Sequence, residues 1–101
     1  SSAHGYCIRN CDTGAGRKKY CDCVLLLDTH EQVWKDFFVR AEIIKLDRHW
    51  LPDIQQYVNY FDVCVYGNNR IPPVYILRSM KPDGIIIDTL KDFFCTTKDW
   101  V

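Results

Sequence analysis

A chain of 101 residues is long enough for one domain with a modest core, and 13 Lys plus Arg against 13 Asp plus Glu leave a formal net charge of zero. That balance excludes the basic excess of a nucleic-acid binder and the acidic excess of a solvating tail. With 48% hydrophobic and 14% aromatic residues the sequence is that of a folded domain, and no apolar run reaches the length of a membrane span.

Residues Ser1 to Tyr20 read as an irregular lead-in. Cys7 and Cys11 stand close enough for a local bridge, although either could reach the main body instead, and Asp12-Thr13-Gly14-Ala15-Gly16 is turn chemistry. Arg17-Lys18-Lys19 is a solvated basic run, with a processing site or partner contact as the alternative. Domain 21–101 opens on Cys21-Asp22-Cys23. In an extended backbone the two cysteines point to opposite sides, so each needs a different partner, and Cys64 and Cys95 are spaced to supply them.

Val24-Leu25-Leu26-Leu27 is apolar and then gives way to Asp28-Thr29-His30-Glu31-Gln32, where Asp28 or Thr29 could cap a short helical turn. From Phe37 the period becomes two. Phe37, Val39, Ala41 and Ile43 face one way and Phe38, Arg40 and Glu42 the other, which predicts a half-buried strand. Asp47 to Pro52 breaks it. Ile54 to Tyr66 fits a helix face in part, but β-forming residues favour a strand over about 57–66, ended by Gly67-Asn68-Asn69. Pro72-Pro73 introduces a strand at Val74 to Arg78. Lys81-Pro82-Asp83-Gly84 reads as a turn joining it in a hairpin to Ile85-Ile86-Ile87. Asp88 to Phe94 closes the sheet or forms a short helix before Cys95. The sum is a mostly β chain of about five strands, sized for a small barrel.

Six cysteines, without the C-x-x-C spacing of a zinc site, lead us to expect a secreted, disulfide-bonded chain, with a reduced intracellular one as the alternative. Their connectivity does not follow from the sequence. The chain does not open on a signal peptide, as expected of either a mature secreted chain or a cytosolic one. His4, His30 and His49 are scattered, so no metal ligand set is expected, and no cofactor motif appears.

The order of these features resembles a netrin-like module, and more closely the amino-terminal domain of the tissue inhibitors of metalloproteinases. The C-x-C pair leads to Asp36-Phe37-Phe38-Val39-Arg40-Ala41-Glu42-Ile43, then Val63-Cys64-Val65-Tyr66, Tyr75-Ile76-Leu77, Pro82-Asp83-Gly84, Ile85-Ile86-Ile87, Cys95 and Trp100. The resemblance implies a five-stranded OB-type barrel with one or two short helices, stapled by Cys21–Cys64 and Cys23–Cys95. It implies a secreted protein-binding module whose edge is Cys21, Asp22, Cys23 and Val24 beside Val63 and Cys64, with a metalloproteinase or other extracellular protein as partner. The inhibitors chelate the catalytic zinc through a free amino-terminal cysteine. Here Cys21 follows twenty residues and its nitrogen is an amide, so chelation is disfavoured. An ionised Asp22 entering an apolar pocket would also be costly. Exposed Trp50, Tyr57, Tyr60 or Tyr66 could serve as anchors.

The alternative reading is a thioredoxin-like oxidoreductase, with Cys21-Asp22-Cys23 as its reactive pair leading into a helix from Asp28, and Ile71-Pro72-Pro73-Val74-Tyr75-Ile76 as the proline-led strand beside it. Hydrolytic catalysis is not expected, because Asp28 and His30 lie together without a nucleophile. The primary expectation is therefore a binding module and not an enzyme.

Overall fold

Three apolar runs without alternation carry the architecture. Val24–Leu27, most of Phe61–Val65 and Ile85–Ile87 are buried residue after residue, which requires cover on both faces of the strands they form. The computed structural model describes residues 23–100, and these runs are the centres of three parallel strands. The lead-in 1–20, the Cys7–Cys11 bridge and the Cys21 half of the Cys21–Cys64 bridge lie outside the described residues.

The elements follow in the order β1 (Cys23–Leu27), α1 (Glu31–Phe37), β2 (Glu42–Lys45), α2 (Trp50–Gln55), β3 (Phe61–Tyr66), α3 (Pro73–Ser79), β4 (Met80–Asp88) and β5 (Phe93–Thr96). The sheet order is β2-β1-β3-β4-β5. β1 pairs in parallel with β2 and β3, β3 pairs in parallel with β4, and β5 returns antiparallel to β4. Among the described residues no strand pairs beyond β2 or β5, so the sheet is open. The OB-type barrel is therefore replaced by a doubly wound α/β sheet of the same strand count.

Each face has its own core. Val24, Leu26, Val63, Val65, Ile85 and Ile87 pack against Trp34 and Phe38 of the α1 region. Leu25, Leu27, Cys64 and Ile86 pack against Ile54 of α2, Ile76 of α3 and Trp100. Burying each such aliphatic side chain contributes about 1.5–3 kcal/mol.

Local chemistry explains where the helices fall. The apparent period of two at 37–43 is overridden by Trp34 and Phe38, four apart and buried on one helical face, while Val39 stays 69% exposed. α1 consequently runs through Phe37 and the strand begins only at Glu42. Pro73 sits in the first turn of α3, where its missing N–H costs nothing, so Val74 to Arg78 is helix and not strand. The strand expected from Tyr57 begins at Phe61, behind α2 and a short turn.

Lys81-Pro82-Asp83-Gly84 is not a hairpin turn. Met80 pairs with Phe61 and Ile85 with Val63, so these four residues bulge out of β4 opposite Asp62. A Cβ on Gly84 would lie 2.8 Å from Met80 Cε and 3.0 Å from the Lys81 carbonyl, which is why the bulge closes on glycine.

Sheet order also decides the expected bridge between Cys23 and Cys95. β1 and β5 are separated by β3 and β4, about 14 Å apart at normal strand spacing, twice the Cα separation a disulfide spans. Cys23, Cys64 and Cys95 are free thiols. Cys64 and Cys95 share a cross-strand row, Leu25–Cys64–Ile86–Cys95, in which Ile86 stands between them. Among the described residues these strands are joined by sheet pairing and by packing on both faces.

Candidate functional site

The chain reverses its winding direction between β1 and β3. α1 covers one face on the way to β2, and α2 crosses the other face on the way back to β3. Loops leaving the carboxyl ends of adjacent strands therefore diverge to opposite faces, which opens a crevice at the edge of the sheet. The crevice has a volume of about 430 Å³, within the range of small-molecule sites. Its floor is apolar, with Leu26, Leu27, Leu46, Ile71 and the indole of Trp50. Its rim is polar, from Asp28 and Thr29 after β1, Lys45 to Arg48 after β2, and Asn68 to Arg70 after β3.

Asp28 fixes the β1 side. Its Oδ2 accepts the Trp34 indole N–H at 2.8 Å, and Oδ1 accepts the Thr29 backbone N–H at 2.8 Å. His30 Nδ1 lies 3.8 Å from the same carboxylate. The side chain is only 6% exposed, so this carboxylate joins the loop to α1 and does not cap the helix, whose first turn receives no side-chain hydrogen bond. A Cβ on Gly67 would lie 2.5 Å from Asp28 Oδ1, so glycine at 67 lets the β1 and β3 loops touch.

Asn69 organises the β3 side. Its Nδ2 donates to the Gly67 carbonyl at 2.9 Å and to the Leu27 carbonyl at 3.5 Å, while its Oδ1 accepts from Ile71 N at 2.8 Å. Tyr66 donates its hydroxyl to the Ile71 carbonyl at 3.0 Å. On the β2 side, Asp47 Oδ1 accepts the His49 backbone N–H at 2.8 Å, and Trp50 meets Tyr75 of α3 edge-on with ring centroids 5.4 Å apart. Lys45 is held by Glu31. Arg48 and Arg70 are exposed, with no carboxylate partner among the described residues.

Among the described residues, those expected at the binding edge do not line the crevice. Cys21 and Asp22 fall outside the described residues. Val24, Val63 and Cys64 are 0% exposed, with Val24 paired to Val63, so all three are core and form no exposed edge. Cys23 is half-buried. Its backbone N–H donates to Asp62 Oδ2 at 3.1 Å, and its Sγ approaches Glu42 Oε1 at 3.7 Å. Burial and then the Glu42 and Asp62 carboxylates raise the Cys23 thiol above its ordinary value, against the lowering effect of a Tyr60 hydrogen bond. The Tyr60 hydroxyl, bonded to Cys23 and Glu42, is itself raised. Burial likewise raises the Cys64 and Cys95 thiols, so the surroundings of all three disfavour the thiolate.

Of the groups sought for redox chemistry, Cys21 and Asp22 lie outside the described residues. Cys23 begins β1, whereas Ile71 and Pro72 follow the carboxyl end of β3, about 16 Å away along a five-residue strand. Of the aromatic anchors expected from sequence, Tyr60 is exposed, Trp50, Tyr57 and Tyr66 are half-buried, and only Trp50 lines the crevice.

The sequence reading missed Arg48, Asn69 and Arg70. Their signal was present as two polar clusters, 47–49 and 67–70, each placed directly after an apolar run and before a helix. Among the described residues no cluster of His, Cys, Asp and Glu is arranged to hold a metal ion, and no helix is long and apolar enough to cross a membrane. Comparison of the chain with family models, curated proteins and solved structures returns no match.

Proposed function

We propose that this domain is a small-molecule binding module whose ligand enters the crevice at the carboxyl edge of the sheet. The observation that carries the reading is the crevice itself. It combines an apolar floor with a polar rim, lies at the point where the winding reverses, and has walls fixed by Asp28, Gly67 and Asn69 before any ligand arrives. Preformed walls lower the ordering cost of binding. The buried charged group at the site, Asp28, is already committed to two donors, which supports binding over chemistry on that carboxylate. A fragment screen read by amide chemical shifts on the full chain tests this. Hits should move Thr29, Arg48, Asn69 and Ile71 together. Hits confined to other surfaces would exclude the crevice.

The second reading is the one prompted by cysteine content, a secreted protein-binding module. It is favoured by exposed Val58 and Tyr60 at the amino end of the sheet, beside Glu42 of the edge strand β2. Tyr60→Ala, which leaves the crevice untouched, should weaken a protein partner and leave fragment binding unchanged.

A further inference from the structure

Resting on the crevice reading, we infer that the ligand is a planar aromatic ring carrying an oxyanion, with the anion held between Arg48 and Arg70 and the ring against Trp50. The inference comes from which groups around the crevice are already satisfied. Lys45 is paired with Glu31, which Lys35 also contacts, Asp28 is engaged by Trp34 and Thr29, and Asp47 accepts from His49. The remaining cations are the two guanidiniums, exposed and without a carboxylate partner among the described residues.

Their positions follow from sheet order. Arg48 follows β2 and Arg70 follows β3, and these strands flank β1 on either side, about 10 Å apart. Both arginines line the crevice, so their forks can meet one anion above the carboxyl end of β1. Two guanidiniums meeting there match the planar, bidentate geometry of phosphate or carboxylate. Below them the lining changes to Leu27, Leu46, Ile71 and Trp50, which suits a flat apolar body. Nucleic acid shares the phosphate chemistry, but a chain of zero net charge carries no overall basic excess to draw it.

The test is calorimetric titration of the full chain with adenosine monophosphate, adenosine, inorganic phosphate, indole-3-carboxylate and indole, with amide shifts to locate each probe. An oxyanion-bearing ring should bind at least about tenfold more tightly than the same ring without it and than phosphate alone. Phosphate and carboxylate arms then identify which anion the forks prefer. Arg48→Gln and Arg70→Gln should each remove about tenfold of that affinity and leave binding of the neutral ring unchanged. Equal affinity for charged and neutral rings at the crevice would overturn the anion assignment while leaving the binding site standing. No crevice shift with any probe would overturn both. Tighter binding of a single-stranded oligonucleotide than of the mononucleotide would replace the small molecule with nucleic acid.

Discussion

Asp28 shows how one carboxylate can decide a site. It accepts the Trp34 indole N–H and the Thr29 amide, and the absence of a side chain at Gly67 leaves room for it. Asp28→Ala should cost about 1–3 kcal/mol, because the buried indole N–H loses its acceptor. Gly67→Ala should cost about the same, since the new methyl displaces a carboxylate that has nowhere equivalent to go. Urea denaturation of both single variants and the double variant checks the pairing, which should be strongly non-additive. Glu31 offers a second check. Hydrogen bonds from Lys35 and then Lys45 hold its carboxyl down to about 2, from an ordinary 4.5. A depressed folded value means the contribution to stability is present above pH 4.5 and fades as the pH falls towards 2. Carbon-detected NMR titration should place the Glu31 midpoint near 2, and Lys45→Ala should move it upward; a midpoint of 4.5 in the parent chain would remove the Lys35–Glu31–Lys45 cluster from the account.

At the scale of elements, strand number and the turn after β3 were legible in the sequence, while the bulge at 81–84 and the identity of several elements were not. Gly67-Asn68-Asn69 ends β3 as its composition demands, and the five-strand count holds. Val74 to Arg78 misled because β-forming residues follow a proline pair. The tertiary environment selects helix there, burying Ile76 and Ser79 three apart. The two alternatives give opposite expectations. In a strand, Val74 and Ile76 would share a face; in α3, Val74 is 68% exposed and Ile76 is 0% exposed. Val74→Lys should therefore change stability by no more than about 0.5 kcal/mol, whereas Ile76→Ala should cost about 2–5 kcal/mol. Matched losses at both positions in thermal denaturation would return the segment to a strand. The carboxyl-edge site was hidden for a related reason: Arg48, Asn69 and Arg70 look like ordinary loop residues until sheet order places their loops on either side of β1.

For the molecule as a whole, the decisive signal was the absence of alternation. A barrel strand shows one face to its interior and one to solvent, but Val24-Leu25-Leu26-Leu27 and Ile85-Ile86-Ile87 are buried throughout. Reading the cysteines first drew attention to Cys21-Asp22-Cys23 and to a stapled barrel, when stability comes from two packed faces of an open sheet. Cys64, at 0% exposure with its thiol raised by burial, should resist alkylation until the domain unfolds, and peptide mapping without reduction should find no Cys23–Cys95 link. A Cys23–Cys95 link, or rapid labelling of Cys64 under native conditions, would be incompatible with this sheet order. The proposed function follows from topology, because winding to both faces leaves a crevice at the carboxyl end of the parallel strands. Hydrogen–deuterium exchange of the full chain, with and without the tightest-binding aromatic oxyanion, tests that claim most directly. Protection should appear in residues 28–30, 46–50 and 68–72, with 58–62 unchanged; protection confined to 58–62 would place the ligand at the opposite end and contradict the account.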